Sequence, residues 1–260
     1  MVDWELRALK KNLKFTQPLL IEGLPGIGNV GKIAADFLID ELQAKKIYDV
    51  FSFDLPNSVF VNEKNLVELP LIEIYHAKAN KQDILILTGD VQPSEERSSY
   101  AFTVKILEWF AGLGGEHIIT LGGIGLQHLP KKPNVYCTGA EKKVVTEFTK
   151  GIKVKKDIYG VVGPIVGVTG LLVGLSKQYK TKGICLLAET YNHAAYLGLK
   201  SARELLYILD KKLKLKINFK ELDKEIDELN QALEQALDTQ GVKSKKIKRL
   251  KGLSETSYIG

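Results

Sequence analysis

Five short runs of this chain, "PLLIEG" (18–23), "YDVFSFD" (48–54), "DILILTGD" (83–90), "HIITLGG" (117–123) and "GICLLAET" (183–190), read as strands, and several are apolar nearly throughout. A strand that is apolar on both sides must be covered on both sides, so runs of this kind imply a sheet with helices on each face. Between them the apolar residues take up helical spacing, which predicts helices over about 30–43, 96–112, 140–150, 164–177 and 193–213. The second of these opens with Ser94, Glu95 and Glu96, and acidic groups in a first turn suit the positive end of a helix dipole. "SVFVNE" and "LVELPLIEIYHA" suggest a hairpin between the second and third strands. Strand–helix alternation with short connections predicts a right-handed, doubly wound α/β domain. Its three layers are α/β/α and its sheet is mostly parallel.

A chain of 260 residues can bury one large core and carry a small appendage. The core domain is expected over 1–217. In "NFKELDKEIDELNQALEQALDTQ" (218–240), Leu222, Ile226, Leu229, Leu233 and Ala236 alternate spacings of four and three. That is the seam of a short coiled coil or helical hairpin. An amphipathic helix so narrow in apolar width packs either on its own domain or on the same helix of another subunit. Residues 241–260 have no core-forming pattern and read as a flexible basic tail.

The tail also decides what the net charge of +6 means. Lys243, Lys245, Lys246, Lys248, Arg249 and Lys251 face Glu255 alone, so five of the six net charges lie there. The body is nearly neutral, and no specific nucleic-acid partner is expected for it. At 45% hydrophobic and 26% charged the composition is that of a soluble globular protein. The opening residues mix charge throughout and do not read as a secretory leader. "GVVGPIVGVTGLLVGL" (160–175) is too short to span a bilayer and reads as a buried glycine-rich turn and helix. A cytoplasmic protein is expected, with no membrane partner. Cys137 and Cys185 fit reduced core thiols, with a disulfide between them left open.

"LPGIGNVGK" (24–32) raises the question of a ligand. Gly26, Gly28 and Gly31 read as G-x-G-x-x-G, and Gly26 to Lys32 as G-x-x-x-x-G-K, on a strand-to-helix turn. Such glycines bring backbone N–H groups and a helix N-terminus up to a phosphate. Asp54 ends the second strand near where a ribose-binding acid would sit, and Asp90 could imitate a magnesium-binding acid. A P-loop, however, needs Ser or Thr after the lysine, and Ile33 stands there. His76, His117, His128 and His193 are scattered without zinc-ligand spacing, and no nucleophile elbow occurs. Glu95, Glu96 and Glu189 show no paired-carboxylate spacing.

Taken in series, "LPGIGNVGKIAADFLIDEL", "ILILTGDVQPS", "HIITLGGIG", "GPIVGVTGLLVGLSK" and "GICLLAET" resemble the archaeal proteasome assembly chaperone family, homologues of the eukaryotic proteasome-assembling chaperones. The resemblance covers about residues 15–240. It implies a phosphorylase/hydrolase-like α/β core that is not an enzyme and carries no cofactor, metal or catalytic residue. It further implies a homo-oligomeric chaperone or adaptor that binds the α-subunits of the 20S proteasome in assembly or activation. Partners of the proteasome often end in hydrophobic–Tyr–any residue. Here the chain ends Ser257, Tyr258, Ile259, Gly260, with tyrosine third from the end and serine before it. Tyr258, Ile259 and Gly260 are therefore candidate docking residues, and equally the plain end of a tail. The alternative is a nucleotide-binding or phosphorylase-like enzyme that uses the glycine loop 26–31.

Overall fold

A computed structural model describes residues 3–10, 13–194 and 196–228. The strands are β1 (Glu5–Ala8), β2 (Leu19–Gly23), β3 (Lys45–Phe51), β4 (Phe60–Val61), β5 (Val67–Glu68), β6 (Ile72–Ala79), β7 (Gln82–Gly89), β8 (His117–Leu126), β9 (Val135–Gly139) and β10 (Lys182–Tyr191). The helices are α1 (Val30–Glu41), α2 (Glu96–Gly112), α3 (Lys142–Thr149), α4 (Val168–Ser176) and α5 (Leu199–Leu213), and residues 220–228 are helical as well.

Eight strands form one sheet in the order β1-β3-β6-β7-β2-β8-β10-β9, and β4 pairs with β5 apart from it. The centre, β7-β2-β8-β10, is parallel. Antiparallel pairs add β6, β3 and β1 on one flank and β9 on the other. β2, β3, β7, β8 and β10 thus run one way, and their carboxyl ends share one edge. Alternation along β2 shows how the layers arise. Leu19 and Ile21 enter the core beneath α1 and α5, while Leu20 and Leu24 enter the core beneath α2 and α4. Trp4, Phe102 and Phe110 fill the second core, with Trp4 edge-on to Phe102 at 4.7 Å between ring centroids.

The two edge strands β1 and β9 are absent from the sequence reading. "ELRA" is mostly exposed and held by backbone pairing to β3, so it carries no apolar pattern. The run predicted over 48–54 lies at 45–51 instead, and Asp54 falls in the following turn. Residues 160–167 are not buried as expected. Ile158, Val162 and Ile165 point inward against Tyr136, Cys185 and Leu187, leaving Val161 and Val166 outside. Cys137 and Cys185 are free and buried.

Leu222 and Ile226, the first two residues of the expected seam, are buried in the chain's own core with Leu205 and Leu209. Leu229, Leu233 and Ala236 lie outside the described residues. Several bonds hold the path from α5 to this segment. The Asn80 side-chain amide, in the β6–β7 turn, donates to the carbonyls of Leu213 (3.1 Å) and Lys214 (2.5 Å). Asp210 accepts from the Lys216 N–H, Glu41 from the Asn218 N–H, and Arg203 pairs with Asp223.

Backbone approaches backbone most closely where α1 meets the sheet. A Cβ on Gly31 would stand 2.3 Å from the Leu121 carbonyl oxygen, and one on Gly23 would stand 2.2 Å from that of Gly31. Gly31→Ala is therefore expected to destabilise by about 2–3 kcal/mol, read by denaturant unfolding. Gly26→Ala has nothing within 4 Å of its Cβ and an extended φ of −161°, and is expected to be neutral within about 0.5 kcal/mol.

Candidate functional site

The glycine loop lies at the carboxyl edge of the central strands, where open α/β sheets bind ligands. Part of its backbone is engaged within the chain. Residues Ile27–Asn29 form a 3-10 turn in which the Asn29 N–H donates to the Gly26 carbonyl at 2.9 Å. Gly28 (φ +62°) adopts the left-handed conformation, and a Cβ there would meet the Thr190 hydroxyl at 2.8 Å. The Gly28 carbonyl accepts from the Gly198 N–H at 2.8 Å, so the β10–α5 connection packs directly on the loop. Lys32 Nζ pairs with Asp36 Oδ2 at 2.9 Å, one turn along its own helix. Asp36 Oδ1 in turn lies 3.0 Å from the Thr88 hydroxyl on β7. Ile33 packs against the core. The loop works as a packed joint between strand and helix.

Three of the segments behind the resemblance converge beside it. Gln92, from "DVQPS", donates through Nε2 to the Pro25 carbonyl at 2.6 Å, and its Oε1 accepts from the Val168 N–H at 3.4 Å. One side chain thereby ties the loop after β2 to the first turn of α4. Gly167 leaves room for it, since a Cβ there would stand 2.5 Å from Gln92 Oε1. Below this tie sits Glu22, fully buried in β2. Its Oε1 accepts from the Leu24 N–H (3.0 Å) and the Thr169 hydroxyl (3.2 Å), while Oε2 has no hydrogen-bond partner. In the sheet register Glu22 stands beside Thr120, and Thr120 beside Cys185. Burial raises the Glu22 carboxyl from an ordinary 4.5 to about 8, against the lowering pull of the Leu24 N–H and the Thr169 hydroxyl. It is held as a neutral acid at pH 7. Burial likewise pushes the Cys185 thiol up to about 12, the reverse of what a nucleophile needs.

The other candidate residues do not meet. Asp54 is exposed, and in the sheet order β6 and β7 separate β3 from β2, so it lies three strand spacings, about 14 Å, from the glycine loop. A ribose acid has to follow a strand adjacent to β2, and those strands are β7 and β8. Asp90 Oδ2 accepts from the Leu71 N–H at 3.0 Å and closes the β6–β7 edge. Glu189 is taken up by Asn134 (2.9 and 2.6 Å) and the Tyr136 hydroxyl (3.1 Å), five spacings, about 24 Å, from β3. His76 pairs with Asp83 at 2.8 Å, and His117 lies exposed at the start of β8, its pKa lowered by desolvation and by the charge of Lys182. No group of three potential metal ligands occurs among the described residues, and no helix among them is long and apolar enough to cross a membrane. Tyr258, Ile259 and Gly260 lie outside the described residues.

Two apolar surfaces escaped the sequence reading. One is the 52–71 segment carrying β4 and β5, with Phe53 95% exposed and Val61, Leu66, Val67 and Leu69 also outward. The other is on the 151–166 segment that borders β9, where Tyr159 is 99% and Val166 80% exposed and Val161 is outward too. Exposed apolar groups gathered like this mark contact surfaces. Periodicity could not reveal them, because in "SVFVNE" and "LVELPL" an outward valine looks like an inward one.

The buried acid carries a pH signature. Glu22 titrates near 4.5 when unfolded and near 8 when folded, so between those values the folded chain holds the extra proton and stability falls as pH rises. The expected slope is on the order of 1.4 kcal/mol per pH unit, levelling above about pH 8. Glu22→Gln is expected to remove that slope whatever its effect at pH 5. Denaturant midpoints measured from pH 5 to 9 read both, and parallel curves for the two proteins would refute the assignment.

Comparison with known proteins adds to this geometry. A family model, that of the PAC2 family, matches residues 20–237. An uncharacterized protein of Methanocaldococcus jannaschii is 30% identical over 235 residues, covering 90% of this chain and 88% of its own. Among solved structures, Pyrococcus furiosus PbaB, an archaeal proteasome activator, is 30% identical with a TM-score of 0.83, over 91% of this chain and 99% of that one. Pyrococcus furiosus PbaA, an archaeal homolog of proteasome-assembly chaperone, is 25% identical with a TM-score of 0.70, over 91% and 96%. With the model matching from the first core strand onward and a relative aligned along nine-tenths of its length, the chain belongs to the PAC2 family.

Proposed function

We propose that this protein is a non-catalytic, homo-oligomeric adaptor or chaperone that binds the α-subunits of the 20S proteasome in the cytoplasm, assisting assembly or activation. The observation that carries the reading is the likeness to the activator PbaB along almost the whole of both chains. The geometry supports it from the other side. The glycine loop is packed under Gly198 and Thr190, and Asp54, Asp90 and Glu189 are each engaged elsewhere or far apart. Two segments, 52–71 and 151–166, expose apolar side chains, which suits protein contact.

In this reading residues 1–217 are the body, 218–240 an appendage on it, and 241–260 a basic segment that reaches an acidic partner surface. Tyr258, Ile259 and Gly260 are its candidate docking residues there. Such a contact weakens with salt.

Capture of purified archaeal α-subunits tests the proposal, comparing the full chain with one ending at Gly241. The full chain is expected to retain them at low salt and progressively lose them as salt rises. The shortened chain is expected to bind about tenfold more weakly, a difference of about 1.4 kcal/mol. Equal binding by both removes the role of the tail, and no retention by either at low salt removes the adaptor.

A further inference from the structure

The four parallel strands begin side by side, and their first residues, Leu19, Gln82, His117 and Lys182, mark the amino edge of the sheet, opposite the glycine loop. The helices above that edge stop short. α3 ends at Thr149 after eight residues, and α5 ends at Leu213, where Lys214 turns left-handed at φ +57°. Neither helix covers the strand starts, and a cavity of about 230 Å³ opens between them. Leu19, Ile119, Val144, Phe148, Ile184 and Leu213 give it an apolar lining, and His117, Glu147, Lys182 and Lys212 add polar groups. We propose that this cavity binds a small monocarboxylate with an apolar body, a short-chain or aromatic acid, whose carboxylate meets the ammonium of Lys212. The site goes beyond the adaptor reading and does not depend on it.

Charge decides the class of ligand. Lys212 Nζ donates to the main-chain carbonyl of Glu147 at 3.0 Å, in the last turn of α3, and stands 5.3 Å from the centre of the Phe148 ring. Both partners are uncharged, and Lys212 forms no ion pair among the described residues. An ammonium carries three donors, and one is used on Glu147. Lys182 already pairs with Glu116 at 3.1 Å, but side-chain exposures of 43% and 50% make that pair weak enough for a second carboxylate to share. Desolvation and the charge of Lys182 lower the His117 pKa from 6.5, so at pH 7 the ring is neutral and donates one N–H. The one acid in the lining, Glu147, is an exposed residue whose carboxylate solvent screens. A cationic ligand would face Lys182 and Lys212 together, and a dianion would find only one unpaired ammonium.

Space decides the body of the ligand. A water molecule takes about 30 Å³ in the liquid, so 230 Å³ is the room of about eight waters, which a molecule the size of hexanoate or benzoate fills. The floor is formed in advance, because Leu19, Ile119, Val144 and Ile184 are buried without a ligand. The rim is fixed by the bonds from the Asn80 amide to the carbonyls of Leu213 and Lys214. A preformed apolar hollow with a few convergent polar groups is the usual form of a small-molecule site.

The test titrates the full chain at pH 7 with hexanoate and with hexanamide, read by calorimetry and by methyl NMR shifts. Hexanoate is expected to bind with a Kd on the order of 1 mM, in keeping with its few atoms, and to shift the methyls of Val144, Ile184 and Leu213. Hexanamide is expected to bind about tenfold more weakly. Lys212→Met is expected to weaken hexanoate about tenfold and to leave hexanamide unchanged. Lys211→Met, one position away and outside the lining, is expected to change neither. Equal binding of acid and amide, shifts confined to other parts of the protein, or a Lys212→Met chain of wild-type affinity each overturns the inference. So does an absence of hexanoate binding at about 20 mM. A peptide of residues 251–260 that displaces hexanoate at lower concentration gives the cavity to a chain terminus and overturns the small acid as its occupant.

Discussion

The approach of α1 to the sheet, backbone against backbone, is the constraint on which the rest of the carboxyl edge depends. With no side chain at Gly23 or Gly31, the first turn of α1 settles against the carbonyl of Leu121, and the strand-to-helix loop is drawn down with it. Gly28 then has to turn left-handed, and its carbonyl reaches the N–H of Gly198. The helix that would expose its N-terminus to a phosphate in a nucleotide-binding fold is here covered by the chain itself. The same glycine spacing serves both purposes, because close helix–strand packing is one of the tasks those glycines perform even where a nucleotide binds.

On the other face of β2 the contact is polar. Gln92 spans from Pro25 to the start of α4, and Glu22 lies beneath with one oxygen satisfied by Leu24 and Thr169. A buried carboxyl is tolerable here because it keeps its proton. The row Glu22, Thr120, Cys185 gives the middle of the sheet side chains that are short and polar or polarizable, over which the glycine-rich start of α4 is laid.

Much of the architecture was legible because β2, β7, β8 and β10 are apolar on both faces, a pattern few other structures require. α1 and α2 emerged within a residue or two at each end, since the apolar spacing of each runs unbroken. β1 was not legible, as its pairing is backbone chemistry at a sheet edge; β9, with Val135, Tyr136 and Cys137 buried on alternate faces, is a run too short to stand out. The strand order was not legible either. The insertion of β6 between β3 and β7 is a long-range choice, and it carried Asp54 away from the loop it was expected to serve. Glu22 left a trace, being the single charged residue in "PLLIEG", but Gln92 left none. The outward valines and leucines of 53–69 differ from core residues only by which side of a short hairpin faces the body.

The Asn80 amide in the β6–β7 turn holds the carbonyls of Leu213 and Lys214, residues more than 130 positions later in the chain. A bond between positions so far apart in sequence is not one that local structure brings together, and in the folded chain it rests on the strands that lie between. The end of α5 is therefore secured by the completed sheet and not by its own helical propensity. The direction in which the chain leaves the body is a property of the whole fold.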